Sequence, residues 1–212
     1  GLSRWMAERY DVEVTGITVS KEQAELARSR CGDLPVAIEL TDYRSLSGRY
    51  DRIVSVGMFE HVGQKNYRTY FNVLRSLLSD GGIFLLHTIG TGTGDYSSDR
   101  WIEKYIFPNG VLPPPRGIVD NCDGLFTIED WHNIGADYDP TLMAWYRNFN
   151  DAWSDLKDRY SDRFKRMFDY YLLTCAGSFR ARDNQLWQVV LSADGIEGGY
   201  RADRWLTSGV KS

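Results

Sequence analysis

Tyr50-Asp51-Arg52-Ile53-Val54-Ser55-Val56, then a helical stretch over residues 66–78, then Asp80-Gly81-Gly82 and Ile83-Phe84-Leu85-Leu86-His87, is the passage that decides the fold. The two short runs are apolar and β-branched without clean alternation, as strands covered on both faces are. Between them Tyr67, Tyr70, Phe71, Leu74 and Leu77 recur at helical spacing, and Asp-Gly-Gly ends the helix. Strand, helix, strand in this order is the unit of a parallel sheet with helices packed on it.

The same rhythm extends upstream. Leu2, Trp5, Met6 and Tyr10 mark a helix, residues 12–19 a strand, and residues 36–40 another. Ser20-Lys21-Glu22-Gln23 reads as a capping box that opens a helix running to Arg30. A turn falls at Ser47-Gly48. The expected fold class is therefore α/β, a doubly wound sheet. Downstream the rhythm breaks. Residues 90–99 are polar and Gly-rich, and residues 108–116 contain a triple proline, the composition of a long lid-like excursion. A strand at 125–133, aromatic-rich helices at 141–160 and 161–181, and a final strand at 186–191 follow. We expect one catalytic domain over residues 1–194, with a helical insertion over about 91–181 before the last strand, and a flexible tail over 195–212.

The chain has 212 residues, 42% hydrophobic and 25% charged, enough for a substantial core. Its net charge of -4, with both signs dispersed, offers no basic stripe and argues against a nucleic-acid partner. No run approaches the roughly 20 apolar residues of a spanning helix. Cys31, Cys122 and Cys175 are odd in number and far apart, which suits a reducing cytosol better than a disulfide framework. Gly1-Leu2-Ser3-Arg4 runs straight into a helical pattern without an initiator methionine, and we read the chain as a fragment.

Ligands of open α/β sheets bind beyond the carboxyl ends of the strands. The polar residues expected there are Thr18 and Gln23, Asp42 and Tyr43, residues 57–61, and residues 87–90. A carboxylate or amide at a strand end accepts hydrogen bonds from a ribose diol or an exocyclic amine, so a nucleoside-bearing ligand is implied, although an acidic residue there more often caps the next helix. Glu60 and His61 follow one strand and His87 ends its neighbour, so a carboxylate and two of the three histidines are expected to meet. Such a pair positions a small anion or a proton acceptor. The plainer alternative is that His61 caps a turn and His87 bonds a backbone carbonyl. No HxxxH or HxH spacing links the histidines, so no metal is expected. Aromatics crowd the second half of the chain. They suit a core and also a cavity for a long apolar chain or a cation.

Gly57-Met58-Phe59-Glu60-His61-Val62-Gly63, Leu85-Leu86-His87-Thr88-Ile89-Gly90, Tyr105-Ile106-Phe107-Pro108-Asn109-Gly110, Glu129-Asp130-Trp131-His132-Asn133, residues 138–146 and residues 164–182 closely resemble the cyclopropane-fatty-acyl-phospholipid synthases. The likeness runs from Gly1 to about Leu191. It implies a class I S-adenosylmethionine-dependent methyltransferase fold, Rossmann-like, whose first strand and glycine loop lie upstream, with Gly1 the last glycine of that loop. An upstream cysteine and an amino-terminal lipid-binding domain are also implied, and this chain alone is expected to bind S-adenosylmethionine poorly and to be inactive. The implied reaction adds a methylene group from S-adenosylmethionine to a cis double bond of a phospholipid acyl chain: the alkene attacks the methyl carbon, and the cation loses a proton as the ring closes. The resemblance assigns the proton to bicarbonate, held by Glu60, His87 and Tyr138 with the backbone at Ile89. It places Thr18, Val19, Ser20 and Gln23 near the ribose, Asp42, Tyr43 and Arg44 near the adenine, and Val56 and Gly57 near the methionine moiety. Cys175 matches a cysteine often given as the active-site residue, but its mid-helix, apolar setting reads as packing. A cytoplasmic protein, peripheral at the inner membrane face and a homodimer at full length, is further implied. Competing readings are a related methyltransferase acting on another lipid or a small amine, and an inactive lipid-binding module.

Overall fold

The computed structural model describes residues 1–202 and Arg204. The chain forms two compact units, one ending at Gly48 and one beginning at Arg49.

In the first unit, helix α1 (Leu2–Arg9), strand β1 (Val14–Thr18), helix α2 (Lys21–Cys31) and strand β2 (Val36–Leu40) alternate. β1 and β2 pair in parallel, with Thr18 opposite Leu40. The expected cap is present: the Ser20 hydroxyl accepts from Gln23 N at 3.2 Å and so satisfies one of the free amides at the head of α2. β2 ends into a tight turn in which Asp42 accepts from Arg44 N at 2.9 Å. Because the strands are parallel, Thr18 and Asp42 leave the sheet at the same edge.

The second unit opens with β3 (Tyr50–Val56), α3 (Phe59–Val62), α4 (Tyr67–Leu77) and β4 (Leu78–Thr91). β5 (Thr127–Asn133) and β6 (Asn184–Ser192) complete a sheet of order β3-β4-β6-β5. α5 (Arg100–Tyr105) and α6 (Pro115–Cys122) lie between β4 and β5; α7 (Tyr138–Asp151), α8 (Trp153–Leu156) and α9 (Asp162–Arg180) lie between β5 and β6. α4 buries Tyr67, Tyr70, Phe71, Leu74 and Leu77 against the sheet, where Phe84 and Phe126 meet Phe71. On β4, Phe84, Leu86, Thr88 and Gly90 face that core, while Leu85, His87 and Ile89 point to the other side and are half-buried.

Three expectations need correction. The sheet is mixed, not parallel throughout: β3 and β4 are parallel, but β6 runs antiparallel to both β4 and β5. The cause is the helical excursion before β6. Asp139 at the start of α7 pairs with Arg180 at the end of α9, and Asn150 at the end of α7 bonds Lys165 and Asp169 near the start of α9. These helices therefore form an antiparallel hairpin that returns the chain to the end it left, and β6 must run back along β5. Second, β3 reads as a buried strand but is the edge of its sheet, with Val54 and Val56 at 40% and 54% exposure. Third, α7 begins at Tyr138, ahead of the expected 141, because Pro140 falls in the first helical turn, where the missing N–H has no acceptor to lose. Of the expected tail, Gly195 N and Ile196 N donate to Ser192 Oγ and Glu129 Oε1. Residue 203 and residues 205–212 lie outside the described residues.

Candidate active site

α3 is a single turn held beside the end of β3, and Glu60 lies in it. Gly57, with φ of +63°, bends the chain out of the strand while its N–H still donates to His87 O at 3.0 Å. The Glu60 carbonyl accepts from Val111 N at 2.9 Å, tying the proline-rich excursion to this turn. The Glu60 side chain is 7% exposed. One carboxyl oxygen, Oε1, accepts from Ile89 N at 2.7 Å; the other, Oε2, is buried with no hydrogen-bond partner among the described residues. Burial pushes this carboxyl above the ordinary glutamate range, outweighing the opposing pull of backbone amides, first Glu60's own and then that of Ile89.

Tyr138, at the head of α7, is half-buried among Ile89, Leu142, Tyr171, Cys175 and Phe179. Burial raises its phenol pKa, and the charge of Glu60 raises it further, which places hydroxyl and carboxyl within electrostatic reach of each other. Tyr171 is pushed up to about 12 by burial, with Cys175 and Tyr138 adding to the shift, and its ring meets Phe107 at 5.9 Å. Cys175 is pushed up to about 11 by burial, so its sulfur is a thiol at neutral pH, not a thiolate.

His87 stands two residues before Ile89 on the same face of β4, roughly 6–7 Å along the strand. Its Nδ1 lies 3.3 Å from Gln188 Nε2, and burial lowers its pKa, keeping the ring neutral. Gln188 is in turn the register partner of His132, so His87, Gln188 and His132 form a row across β4, β6 and β5. His61 turns from Glu60 toward Phe107, with ring centroids 6.3 Å apart. Among the described residues no group of three or more potential metal ligands gathers.

The residues expected to face a nucleoside lie in the first unit. Thr18 Oγ1 donates to Gln23 Oε1 at 2.8 Å and accepts from Ser20 N; Val19 between them is 77% exposed. Arg44 grips Asp42 with two side-chain hydrogen bonds of 2.8 Å and holds its carboxyl at about 2, an ionised acceptor at any physiological pH. The Arg44 guanidinium lies 5.8 Å from the Tyr43 ring centre. Gly1 precedes α1, and its carbonyl accepts from Trp5 N. In the second unit Val56 is open to solvent, and nothing lies within 4 Å of where a Cβ on Gly57 would stand.

Two buried residues near Glu60 were legible only as core. The Tyr67 hydroxyl has no hydrogen-bond partner among the described residues, its ring stacks on Phe59 at 4.0 Å, and its phenol, raised chiefly by burial, also feels Tyr96 and Glu60. Thr88 is fully buried and donates to Ile89 O at 3.1 Å. The available signal was chemical: a tyrosine and a threonine at positions where phenylalanine and valine pack as well.

Comparison with known proteins identifies the family. The family model described as mycolic acid cyclopropane synthetase matches residues 1–189. The chain is 59% identical over 204 residues to the cyclopropane-fatty-acyl-phospholipid synthase of Escherichia coli K12, covering 96% of this chain and 53% of that protein. It thus spans about half the length of the curated relatives it matches. Among solved structures, the cyclopropane synthase MmaA2 from Mycobacterium tuberculosis superposes with a TM-score of 0.81 at 26% identity, covering 89% of this chain and 72% of that one. The mycolic acid cyclopropane synthase CmaA1, complexed with SAH and CTAB, gives 0.79 at 26% identity, covering 88% and 72%. By sequence and by fold, the chain belongs to the mycolic acid cyclopropane synthetase family.

Proposed function

We propose that this chain is the catalytic part of an enzyme that adds a methylene group from S-adenosylmethionine to the cis double bond of unsaturated acyl chains in membrane phospholipids. The observation that carries the reading is the Glu60 carboxyl: buried, anchored through one oxygen on the Ile89 amide, unpartnered at the other, and within the field of the Tyr138 phenol. An unsatisfied buried carboxyl oxygen is costly, and sites keep such an atom where a guest satisfies it.

The residues fit both groups that the family implies. S-adenosylmethionine supplies an electrophilic methyl carbon when bound. Asp42, ionised and pinned by Arg44, accepts from an exocyclic amine or a hydroxyl, and Thr18, Ser20 and Gln23 present polar atoms at the same sheet edge to a ribose. Tyr43 and Val19 flank them in the same unit. For bicarbonate the electrostatics are favourable because Glu60 is shifted toward its neutral form. A carboxyl so shifted can share a proton with bicarbonate at its free oxygen, Oε2, which a glutamine amide cannot do, and the Tyr138 hydroxyl can donate to the same ion. Neutral His87 can accept a proton, and the aromatic walls around Tyr138 and Tyr171 keep water from the cation formed on the lipid. Cys175, as a half-buried thiol, packs against this wall. No helix among the described residues is long and apolar enough to cross a membrane. The proposed reaction itself requires the enzyme to meet its lipid at a bilayer surface, and we place that surface on the cytoplasmic side.

Expression of the polypeptide, at the full length of its relatives, in a bacterium without cyclopropane lipids tests this. Cyclopropyl acyl chains should appear with the native sequence and be absent with Glu60→Gln. Unchanged lipids with the native sequence, in protein that is folded and abundant, would overturn the reading.

A further inference from the structure

α5 and α9 leave an open cleft of about 250 Å³, lined by Trp101, Tyr105, Arg163, Arg166, Met167 and Tyr170. Its aromatic wall is built: Trp101 meets Tyr170 edge-on at 4.5 Å and Tyr105 at 5.4 Å. Yet Tyr105 and Tyr170 remain 38% and 51% exposed. The cations of α9 are divided by direction. Lys165 turns inward and is neutralised by Asp169 at 2.7 Å, with Asn150 at 2.6 Å. Arg163 and Arg166, exposed and one turn apart, have neither an ion pair nor a hydrogen bond among the described residues. Two unpaired guanidinium groups thus stand beside a half-buried tryptophan and two exposed tyrosines, on a chain whose net charge is -4.

We propose that this cleft docks the enzyme on an anionic phospholipid surface, with Arg163 and Arg166 holding lipid phosphate and Trp101, Tyr105 and Tyr170 at headgroup depth; the proposal rests on the lipid-modifying function proposed above. Guanidinium forks match phosphate oxygens, and tryptophan and tyrosine favour the membrane–water interface. Dimensions agree as well. The inner face of α9 carries Tyr171 and Cys175 beside Tyr138. At about 1.5 Å per residue, these lie roughly 8–18 Å along the helix from Arg166 and Arg163. One bilayer leaflet has about 15 Å of hydrocarbon beneath some 5–7 Å of headgroup, so a mid-chain double bond lies roughly 10–15 Å from the phosphate. One helix therefore spans the distance from a bound headgroup to a mid-chain alkene.

The test is cosedimentation of the polypeptide, at its relatives' full length, with vesicles of phosphatidylglycerol in phosphatidylcholine. The native protein is compared with Arg163→Gln/Arg166→Gln, whose fold is checked by circular dichroism, and turnover is measured in parallel on detergent-dispersed lipid. At about 1 kcal/mol per basic residue near the surface, the double variant should bind roughly 30-fold more weakly while turnover on dispersed lipid persists. Native-like vesicle binding by the variant would overturn the proposal. So would abolition of native binding by millimolar inorganic phosphate, which would mark a free-anion site, or by an acidic soluble protein, which would mark a protein interface. Native protein that cyclopropanates dispersed lipid but ignores vesicles overturns the docking surface alone. Arginine-dependent vesicle binding without any cyclopropane product upholds the surface and overturns the function.

Discussion

Replacing Glu60 separates its two structural roles, as acceptor and as buried charge. Glu60→Ala deprives the Ile89 amide of its acceptor, a loss worth about 1–3 kcal/mol when the orphaned donor is buried. It also leaves a void where methylene groups packed, partly offset by removal of a desolvated carboxyl. A net loss of about 2 kcal/mol is expected. Glu60→Gln keeps a carbonyl oxygen on Ile89 N and removes only the charge, so its stability should stay within about 1 kcal/mol of native. The pH dependence discriminates further. Burial raises the folded-state pKa of Glu60, so the folded protein holds this proton more tightly than the unfolded chain. Its contribution is fully present below the ordinary carboxylate range and is lost as pH rises through the raised value. The glutamine variant lacks that loss, and its advantage should grow as pH rises above the ordinary carboxylate range. Urea unfolding followed by tryptophan fluorescence, with Trp187 buried in the same sheet, reads both effects as shifts of the midpoint. A glutamine variant as damaged as the alanine variant, or a gap independent of pH, would refute the account.

Three further outcomes are expected. Gly90→Ala places a Cβ 2.1–2.7 Å from atoms of the buried Trp187 ring and should cost about 1–3 kcal/mol, seen as a fall in Tm; an unchanged Tm would mean the ring moves freely. In the polypeptide at its relatives' full length, Cys175→Ser should retain turnover, and at neutral pH the native thiol, pushed up to about 11 by burial, should react slowly with iodoacetamide; loss of turnover in folded protein would restore a chemical role. In the polypeptide at its relatives' full length, Asp42→Asn should weaken S-adenosylhomocysteine binding about 10-fold or more by calorimetry, the value of a hydrogen bond to an ionised acceptor, and unaltered affinity would remove Asp42 from the cofactor's contacts.

What could be read from the chain divides along the distance between interacting residues. β2 and β3 begin and end where the sequence places them, because turn residues bracket each run, and the stripe from Tyr67 to Leu77 is buried as its spacing requires. These are local signals. The extension of β4 through Gly90 and Thr91 was not legible: it depends on pairing with Gln185 and Asn184, nearly a hundred residues away, and on a glycine that lets the Trp187 ring lie flat on the strand. The exposure of Val54 and Val56 follows from strand order, which no local run encodes. At the candidate site, the grouping of Glu60 with residues 87–90 follows from the strand ends, but the partner of its carboxyl is a backbone amide, which leaves no trace in side-chain identity. His87 is near in sequence to that amide, yet its ring nitrogen meets Gln188, a partner set only by the register of β6.

The isotopic fate of the transferred carbon tests methylene transfer at this site. The polypeptide, at its relatives' full length, is incubated with unsaturated phospholipid and S-adenosylmethionine fully deuterated at the methyl group, and the acyl chains are analysed by mass spectrometry. The expected product carries a ring methylene that keeps two of the three deuterons, the third lost in the proton-removal step, and Glu60→Gln should yield no such product. Acyl chains that keep all three deuterons in a methyl branch, or cyclopropane formed at the native rate by Glu60→Gln, would contradict methylene transfer at this site.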